Sequence, residues 1–348
     1  TEYAMTLNGT NWEADVDFTD GQFFTFATFP QAAPGNVLAN NVLWLKADAG
    51  VTTSGGTVTA WNDLSPRAWQ ATQVTVANQP VYNTSANLIN YNPVVTFDGA
   101  NDFFQNAVNL STPITSNAVD AYIVGNMTVR NSAIAGGLSI TNAGTLDNNV
   151  ASNAVLFMRN NSANNFIAYR NSAYQGNTNG MTQGGTYIHE AGFNGSNQFV
   201  QSVNARNLAT TAYTNTAFNV NRYSLGCRMS GAGGAVQEYM AGNIAEVIMY
   251  DAANTNATDR QKIRSYLAIK YGQTLDQTTP YNYITADGTV IWDATANAAY
   301  KNNITVIGRD DLSLLNQKQS RSQNNGVSNA GGMVVISKGS SITASNSV

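Results

Sequence analysis

Catalysis needs groups that move protons, attack carbonyls or hold metals, and such groups are scarce here. His189 is the only histidine and Cys227 the only cysteine among 348 residues, so any Ser-His-Asp or Cys-His arrangement must be built on one of them. His189 sits in the run Tyr187-Ile188-His189-Glu190-Ala191-Gly192-Phe193, whose alternation reads as a strand, and Cys227 ends a similar run, Tyr223-Ser224-Leu225-Gly226-Cys227. Both are expected to be structural, Cys227 as a small buried residue. Glycosidases on sandwich folds need two carboxylates roughly 5 to 9.5 Å apart on one strand face, hence two or four positions apart in sequence. Of the five glutamates, Glu2, Glu13, Glu190, Glu238 and Glu246, only Glu13 has such neighbours, Asp15 and Asp17, and these lie beside a turn near the N-terminus. No catalytic residue is expected.

Binding chemistry is less easily dismissed. Asp98 and Asp102, four apart around the glycine of Phe97-Asp98-Gly99-Ala100-Asn101-Asp102, can face one another across a loop and, with loop carbonyls, hold Ca²⁺. The competing and favoured reading is an Asx turn between two strands, because no Asp-x-Asp-x-Asp-Gly loop with a trailing glutamate is present. Sugar sites on sandwiches use exposed aromatics framed by Asn, Asp and Gly. Trp69, Tyr82, Tyr91, Tyr169, Tyr174, Tyr187 and Tyr213 lie in or near such segments, and Trp69, Tyr82, Tyr91 and Tyr174 are taken as the candidates. Core packing is the default for each of them taken alone. Glu246 interrupts the apolar run Ile244-Ala245-Glu246-Val247-Ile248, so it must face water or a basic partner, and Arg260 or Arg264 is the expected partner.

The elements that would position these residues are mostly strands. Only 11% of the chain is charged, against a usual share of about a quarter, and Asn, Thr, Ser and Gly supply the polar surface instead. These residues disfavour helices and suit strands and turns. Short β-branched or aromatic runs separated by Gly, Asn and Ser recur from Val42 to Tyr250, which predicts an all-β, antiparallel sandwich or jelly roll and excludes a parallel α/β fold. One helix is expected, with an N-cap at Thr258-Asp259, an apolar face of Ile263, Tyr266 and Leu267, and a stop at Gly272. Candidate strands then follow at Thr289–Trp292, Ile304–Gly308 and Met333–Ile336.

With 17 basic residues spread thinly and a net charge of −4, no basic stripe exists for nucleic acid, and no apolar run is long enough for a membrane span. A single cysteine permits neither an internal disulfide nor a cysteine-pair zinc site. Thr1-Glu2-Tyr3 carries neither a signal pattern nor an initiator Met, so the chain is expected to be continuous with further modules. The expected organisation is the end of a preceding β module at 1–29, a linker at 30–36, a sandwich at 37–273 with its helix at the end, and the incomplete start of a second β-rich module at 274–348.

Five separated segments carry a resemblance: Val42–Val51 (VLWLKADAGV), Val58–Ser65 (VTAWNDLS), Asn92–Phe104 (NPVVTFDGANDFF), Ile244–Asp251 (IAEVIMYD) and Arg260–Gly272 (RQKIRSYLAIKYG). In this order they resemble the laminin-G-like, concanavalin-A-like lectin sandwiches of large secreted Bacteroidetes surface proteins. The stretch Asp287–Asp293 with Ile307–Asp311 and Leu315–Ser320 resembles an uncharacterised module that follows such sandwiches. The resemblance implies a non-catalytic, gliding-motility-adhesin-like module, exported by the type IX secretion machinery to the cell exterior. Its expected partner is a surface glycan or another cell-surface protein. The rival readings are a spacer sandwich without ligand and, weakest, a glucanase-type hydrolase.

Overall fold

The computed structural model describes residues 6–8, 11–17, 19–21, 31–85, 89–128, 134–142, 153–160, 165–170, 173–177, 181, 184–208, 210–213, 216–229, 235–253, 256–322, 334–339 and 346. The chain divides into two compact units, Thr1–Gln31 and Ala32–Val348. In the first, Thr6–Asn8 pairs antiparallel with Asn11–Glu13, placing Leu7 opposite Trp12. The aromatic run Phe23–Phe26 lies outside the described residues.

The second unit is an antiparallel β-sandwich, as composition and strand spacing predict. An inner sheet runs in the order Gln198–Val203, Tyr187–Asn194, Ala118–Thr128 and Ala241–Tyr250. The far edge of the last strand is shared by Asn41–Lys46 and Val94–Asp98. An outer sheet runs Ala173–Asn177, Asn165–Arg170, Ala154–Asn160, Ile134–Thr141, Arg222–Leu225, Phe104–Asn106, Ala71–Thr72, Thr57–Trp61 and Val51–Ser54. Val81–Asn83 pairs with both Val94–Asp98 and Thr57–Trp61 and joins the layers. Between the sheets lies the main core, with Leu43, Leu45, Ala121, Ile123, Val247 and Met249 from the inner sheet facing Leu138, Ile140, Leu156, Tyr223 and Leu225 from the outer.

The helix α1, Ala257–Tyr271, covers the other face of the inner sheet and forms a third layer. Its Ile263, Tyr266 and Leu267, the expected apolar face, pack with Trp44, Tyr122, Val124, Ile188, Ile248 and Tyr250. A sheet buried on both faces needs apolar residues at consecutive positions rather than alternate ones. This accounts for the unbroken runs Val42-Leu43-Trp44-Leu45 and Val247-Ile248-Met249-Tyr250. The helix is capped at its start by Asn256, whose Oδ1 accepts from the Thr258 and Asp259 amides at 2.9 and 3.3 Å. Asn256 has the extended backbone that a cap requires, whereas Thr258 is already helical, so the cap falls two residues before the expected position. Gly272 ends the helix as expected, with φ 63°. A side chain there would also meet the Arg321 carbonyl at 2.1 Å.

Residues 274–322 pack on the same helix, so the expected break at 273/274 is not a break in packing. The Ile284 amide donates to Ser265 Oγ, the Leu275 amide to Tyr283 Oη, and Asn90 bridges the helix end to Ser320 and Arg321. Nor is 32–36 a free linker. The 3₁₀ turn Pro34–Asn36 lies against α1, with Gly35 so close that a Cβ would meet Lys262 backbone at 2.6 Å. Beyond the helix the strands are short: Tyr283–Ile284 with Val290–Trp292, Gly308–Asp310 with Leu315–Gln317, and Gln319–Arg321 with Val335–Ser337. The expected Ile304–Gly308 strand therefore begins only at Gly308, its last residue.

Candidate functional site

Strand register decides where the carboxylates point. Cross-strand partners Trp44, Ile248, Tyr122, Glu190 and Ser202 form one row on the helix-covered face, and Lys46, Glu246, Val124 and Ile188 form the next. A β-bulge at Ala245 sets this register for Glu246. Both glutamates are thus buried under α1, toward opposite edges of the sheet, and each meets a different end of the helix.

At the helix start, Arg264 donates to Glu190 Oε2 from Nε at 2.9 Å and from Nη2 at 2.5 Å, and Arg260 Nε lies 3.1 Å from Glu190 Oε1. Ser202 Oγ and Tyr122 Oη also donate to this carboxylate. Burial raises the pKa of Glu190, but the two arginines and the hydrogen bonds outweigh it, so the carboxyl is held below its ordinary range. At the helix end, Glu246 accepts from Trp44 Nε1 at 2.6 Å, Tyr271 Oη at 2.6 Å, Tyr266 Oη at 2.9 Å and Lys270 Nζ at 2.9 Å. The expected pairing of Glu246 with Arg260 or Arg264 is therefore wrong in its partner. Those arginines sit a helical turn or more toward the other end of α1 and serve Glu190, while Lys270 serves Glu246.

The other residues singled out from the sequence are dispersed. Trp69 is 2% exposed, its ring edge-on to Tyr223 at 4.7 Å, and Tyr91 is 4% exposed beneath the Arg321 guanidinium. Neither ring can stack on a sugar, because each is already packed inside the protein, and the same holds for Tyr169, Tyr187 and Tyr213. Tyr82 is half-buried, with its hydroxyl donating to the Ala47 carbonyl at 2.9 Å. Tyr174 pairs in register with Tyr169, and its side chain lies outside the described residues. Cys227 is buried as expected, and burial pushes its thiol up to about 12; His189 is buried too rather than surface-facing.

Asp98 and Asp102 meet across the loop and accept hydrogen bonds from its backbone. Asp98 Oδ1 accepts the amides of Ala100, Asn101 and Asp102 at 2.8 to 3.3 Å, and Asp102 Oδ2 accepts the Asp98 amide at 3.0 Å. Burial and the charge of Asp98 raise Asp102 to about 6. Among the described residues no three His, Cys, Asp or Glu converge on one point. The carboxylate oxygens that meet across this loop are taken by its own backbone amides. They make the Asx turn.

This turn nevertheless shapes a surface that the sequence did not single out. Phe104 is fully buried in the core, so by strand alternation Phe103 and Gln105 stand on the outer face of the outer sheet. Phe103 lies 6.2 Å, ring to ring, from Tyr239, tilted by 46°, and both are half-buried. The Phe103 amide donates to the Asn78 carbonyl, and Asn101 Nδ2 donates to the Ala77 carbonyl and to Asn78 Oδ1. Gln105 Oε1 accepts from Arg222 Nη2 at 2.5 Å. On the other flank, Glu238 pairs with Arg228 at 3.0 Å, and that guanidinium covers Tyr169. The adjoining loop exposes Val74 by 89% and Val76 by 73%. The only sequence signal for this site was the second Phe of Asp102-Phe103-Phe104, since two adjacent aromatics in a strand must face opposite ways.

A separate cleft of about 240 Å³ opens near the start of α1, lined by Val119, Asp120, Phe193, Val200 and Arg260 among others. Its charged residues are committed to the Glu190 cluster, with Arg260 3.9 Å from Asp120.

The fold thus defines an antiparallel β-sandwich with a helix and a C-terminal segment packed on one face. Residues 259–348, from α1 onward, match a domain of unknown function, DUF8202. No curated protein sequence matches the chain. Among solved structures, it is similar to the Trypanosoma rangeli sialidase in complex with sialic acid, at 11% identity and a TM-score of 0.42 over 66% of this chain and 33% of that one. The binding domain of Paraclostridial Mosquitocidal Protein 1 gives 10% identity and a TM-score of 0.44, over 70% of this chain and 57% of that one. The Ruminococcus gnavus IT-sialidase CBM40 bound to alpha2,3 sialyllactose gives 18% identity and a TM-score of 0.34, over 44% of this chain and 93% of that one. The chain spans about a third of the length of the sialidase.

Proposed function

We propose that this chain is a non-catalytic, adhesive module displayed on the exterior of a bacterial cell, which binds a surface glycan at the Phe103–Tyr239 face. The observation that carries this reading is the pair of half-buried rings at 6.2 Å, set among the loop amides of Asn78 and Asn101. Aromatic faces stack on the apolar faces of sugars, and neighbouring amides satisfy the hydroxyls. The motifs of the surface-protein resemblance converge in support. VLWLKADAG supplies the inner-sheet edge, VTAWNDLS an outer-sheet strand with the turn that follows it, and FDGANDFF the site itself. Display outside the cell and export by the type IX route belong to the same proposal.

The absence of catalysis is part of the proposal, supported by how the glutamates of the sandwich are used. Glu190, Glu238 and Glu246 each face a basic partner, and Glu190 is held in its charged form, the opposite of what a general acid needs. A second reading, a spacer without ligand, is favoured by one observation. The inner-sheet face that would otherwise offer a broad binding surface is covered by α1 and the residues after it.

A glycan array probed with the whole chain, with and without Ca²⁺, tests both. Binding that is independent of Ca²⁺ and falls at least about tenfold in Phe103→Ala and Tyr239→Ala, while Val76→Ser binds normally, is the expected result. No binding to any glycan leaves the spacer reading, and binding unaffected by either aromatic substitution rules out this face.

A further inference from the structure

Lys270, Asp48 and Glu246 form a closed set in which a nucleophile, an acyl carbon and a proton carrier touch. Lys270 Nζ is 2.8 Å from Asp48 Oδ1 and 2.9 Å from Glu246 Oε2. Asp48 lies in the turn after the strand Asn41–Lys46, and Lys270 in the last turn of α1, so the contact joins chain segments 222 residues apart. The set is walled by Trp44, Tyr266 and Tyr271, all of which donate to Glu246. Lys270 is 2% exposed and Glu246 fully buried, while the Asp48 side chain is 17% exposed. The acyl group thus has a path to water and the amine does not.

We propose that Lys270 and Asp48 condense to an intramolecular isopeptide bond, with Glu246 as general acid and base. Glu246 takes a proton from the Lys270 ammonium. The freed amine attacks Asp48 Cγ, forming the Nζ–Cγ bond. Glu246 returns the proton to an Asp48 oxygen, the second proton lost by the amine joins it, and the Cγ–O bond breaks with release of water toward the exposed side of Asp48. Ammonium plus carboxylate become amide plus one water, and no oxidant, cofactor or external group is consumed.

Charge favours the product. A second lysine, Lys46, stands opposite Glu246 in the sheet, with Nζ 3.8 Å from Asp48 and 2.8 Å from the Leu314 carbonyl that accepts its hydrogen bond. Before reaction, two ammoniums and two carboxylates share this largely buried pocket. Afterwards one opposed pair, Lys46 and Glu246, is left. Burying fewer ions relieves their desolvation penalty. Burial opposes the charge on both groups, but the two lysines outweigh it and hold the Asp48 carboxyl below its ordinary range, and the carboxylates outweigh it and hold Lys270 above its own. The resting cluster is therefore ionic, and condensation follows folding through its minor neutral form. The bond would staple the first sandwich strand to the helix, a direct constraint for a module pulled between cell and surface.

The test is the intact mass of the folded, purified chain after prolonged incubation, followed by trypsin. The expected mass is one water below that of the sequence. Since trypsin cannot cut after an acylated lysine, the digest should contain a branched peptide of Ala47–Arg67 joined to Ser265–Lys301. Asp48→Asn should reach the same final mass by losing ammonia instead of water, and Asp48→Ala should keep its full mass. Glu246→Gln, if folded by circular dichroism, should also keep its full mass with Lys270 cleaved normally. A wild-type chain at full sequence mass overturns the bond. A linked Glu246→Gln variant overturns the role of Glu246.

Discussion

Arg264 reaches across from α1 to set both its Nε and Nη2 on a single oxygen of Glu190, a carboxylate that belongs to the inner sheet. The contact spans 74 residues and anchors the start of the helix, as Lys270 on Glu246 anchors its end. Each helical pair, Arg260 with Arg264 and Tyr266 with Lys270, is spaced by one turn, and the two pairs flank the apolar stripe of Ile263 and Leu267 on opposite sides.

Arg264→Met should destabilise the fold by about 3–5 kcal/mol, because it leaves Glu190 buried with a weakened partner set. The double change Arg264→Met with Glu190→Leu should recover a substantial part of that loss. Urea unfolding at neutral pH measures both, and equal losses in the single and double variants would show that the charge pair is not the cause. The same carboxylate sets an acid limit. Its folded pKa lies below its unfolded value, so the stability it adds is present above the ordinary carboxylate range and is lost as pH falls through the folded value.

Asp63 is a structural hub. Its carboxylate accepts the Trp44 amide at 2.7 Å, the Ser65 amide at 2.9 Å, Ser65 Oγ at 2.7 Å and the Trp69 amide at 2.6 Å. Asp63→Ala strands buried donors and should cost more than about 3 kcal/mol by chemical denaturation. Asp63→Asn keeps the size and an acceptor oxygen and should cost less.

Asp102 gives a pH dependence of opposite sign to Glu190. Burial and the neighbouring Asp98 raise it to about 6 from the ordinary 3.8 of an aspartate. Stability from this group is therefore full below 3.8 and is lost as pH rises through about 6. Thermal melting followed from pH 4 to 7 should show Asp102→Asn with a flatter profile than wild type and a relative gain at pH 7. Parallel profiles for the two proteins would refute the shift.

Asn90 ties the C-terminal segment to the sandwich. Its Nδ2 donates to the Lys270 carbonyl at 2.9 Å, and its Oδ1 accepts the Arg321 amide at 2.6 Å. Asn346 Nδ2 in turn donates to the Asn90 carbonyl at 3.1 Å. Asn90→Ala should uncap the helix end and lower stability by about 2–3 kcal/mol. Limited proteolysis should then cut after residue 272 sooner than in wild type, and an unchanged cleavage rate would mean that other contacts hold the segment.

The sandwich, the helix α1 and its stop at Gly272 were legible because each rests on local pattern: strand alternation, turn residues and helical spacing. So was the Asp98–Asp102 turn, whose two carboxylates are close in sequence. Which aromatics are exposed was not legible. Trp69 and Tyr91 sit in Asn-rich or polar stretches like those of surface residues, yet the fold buries both, while Phe103, beside a core phenylalanine, faces outward.

The sequence by itself determined that Glu246, set in an apolar strand, must face water or find a partner, because a carboxylate cannot be buried alone, whereas it gave no such signal for Glu190. Only the tertiary structure decided which. Cross-strand register places the two glutamates in adjacent rows of one face, and α1 lies over that face with its arginines toward Glu190 and Lys270 toward Glu246. Register and helix direction follow from packing between segments up to two hundred residues apart, and no local pattern encodes them.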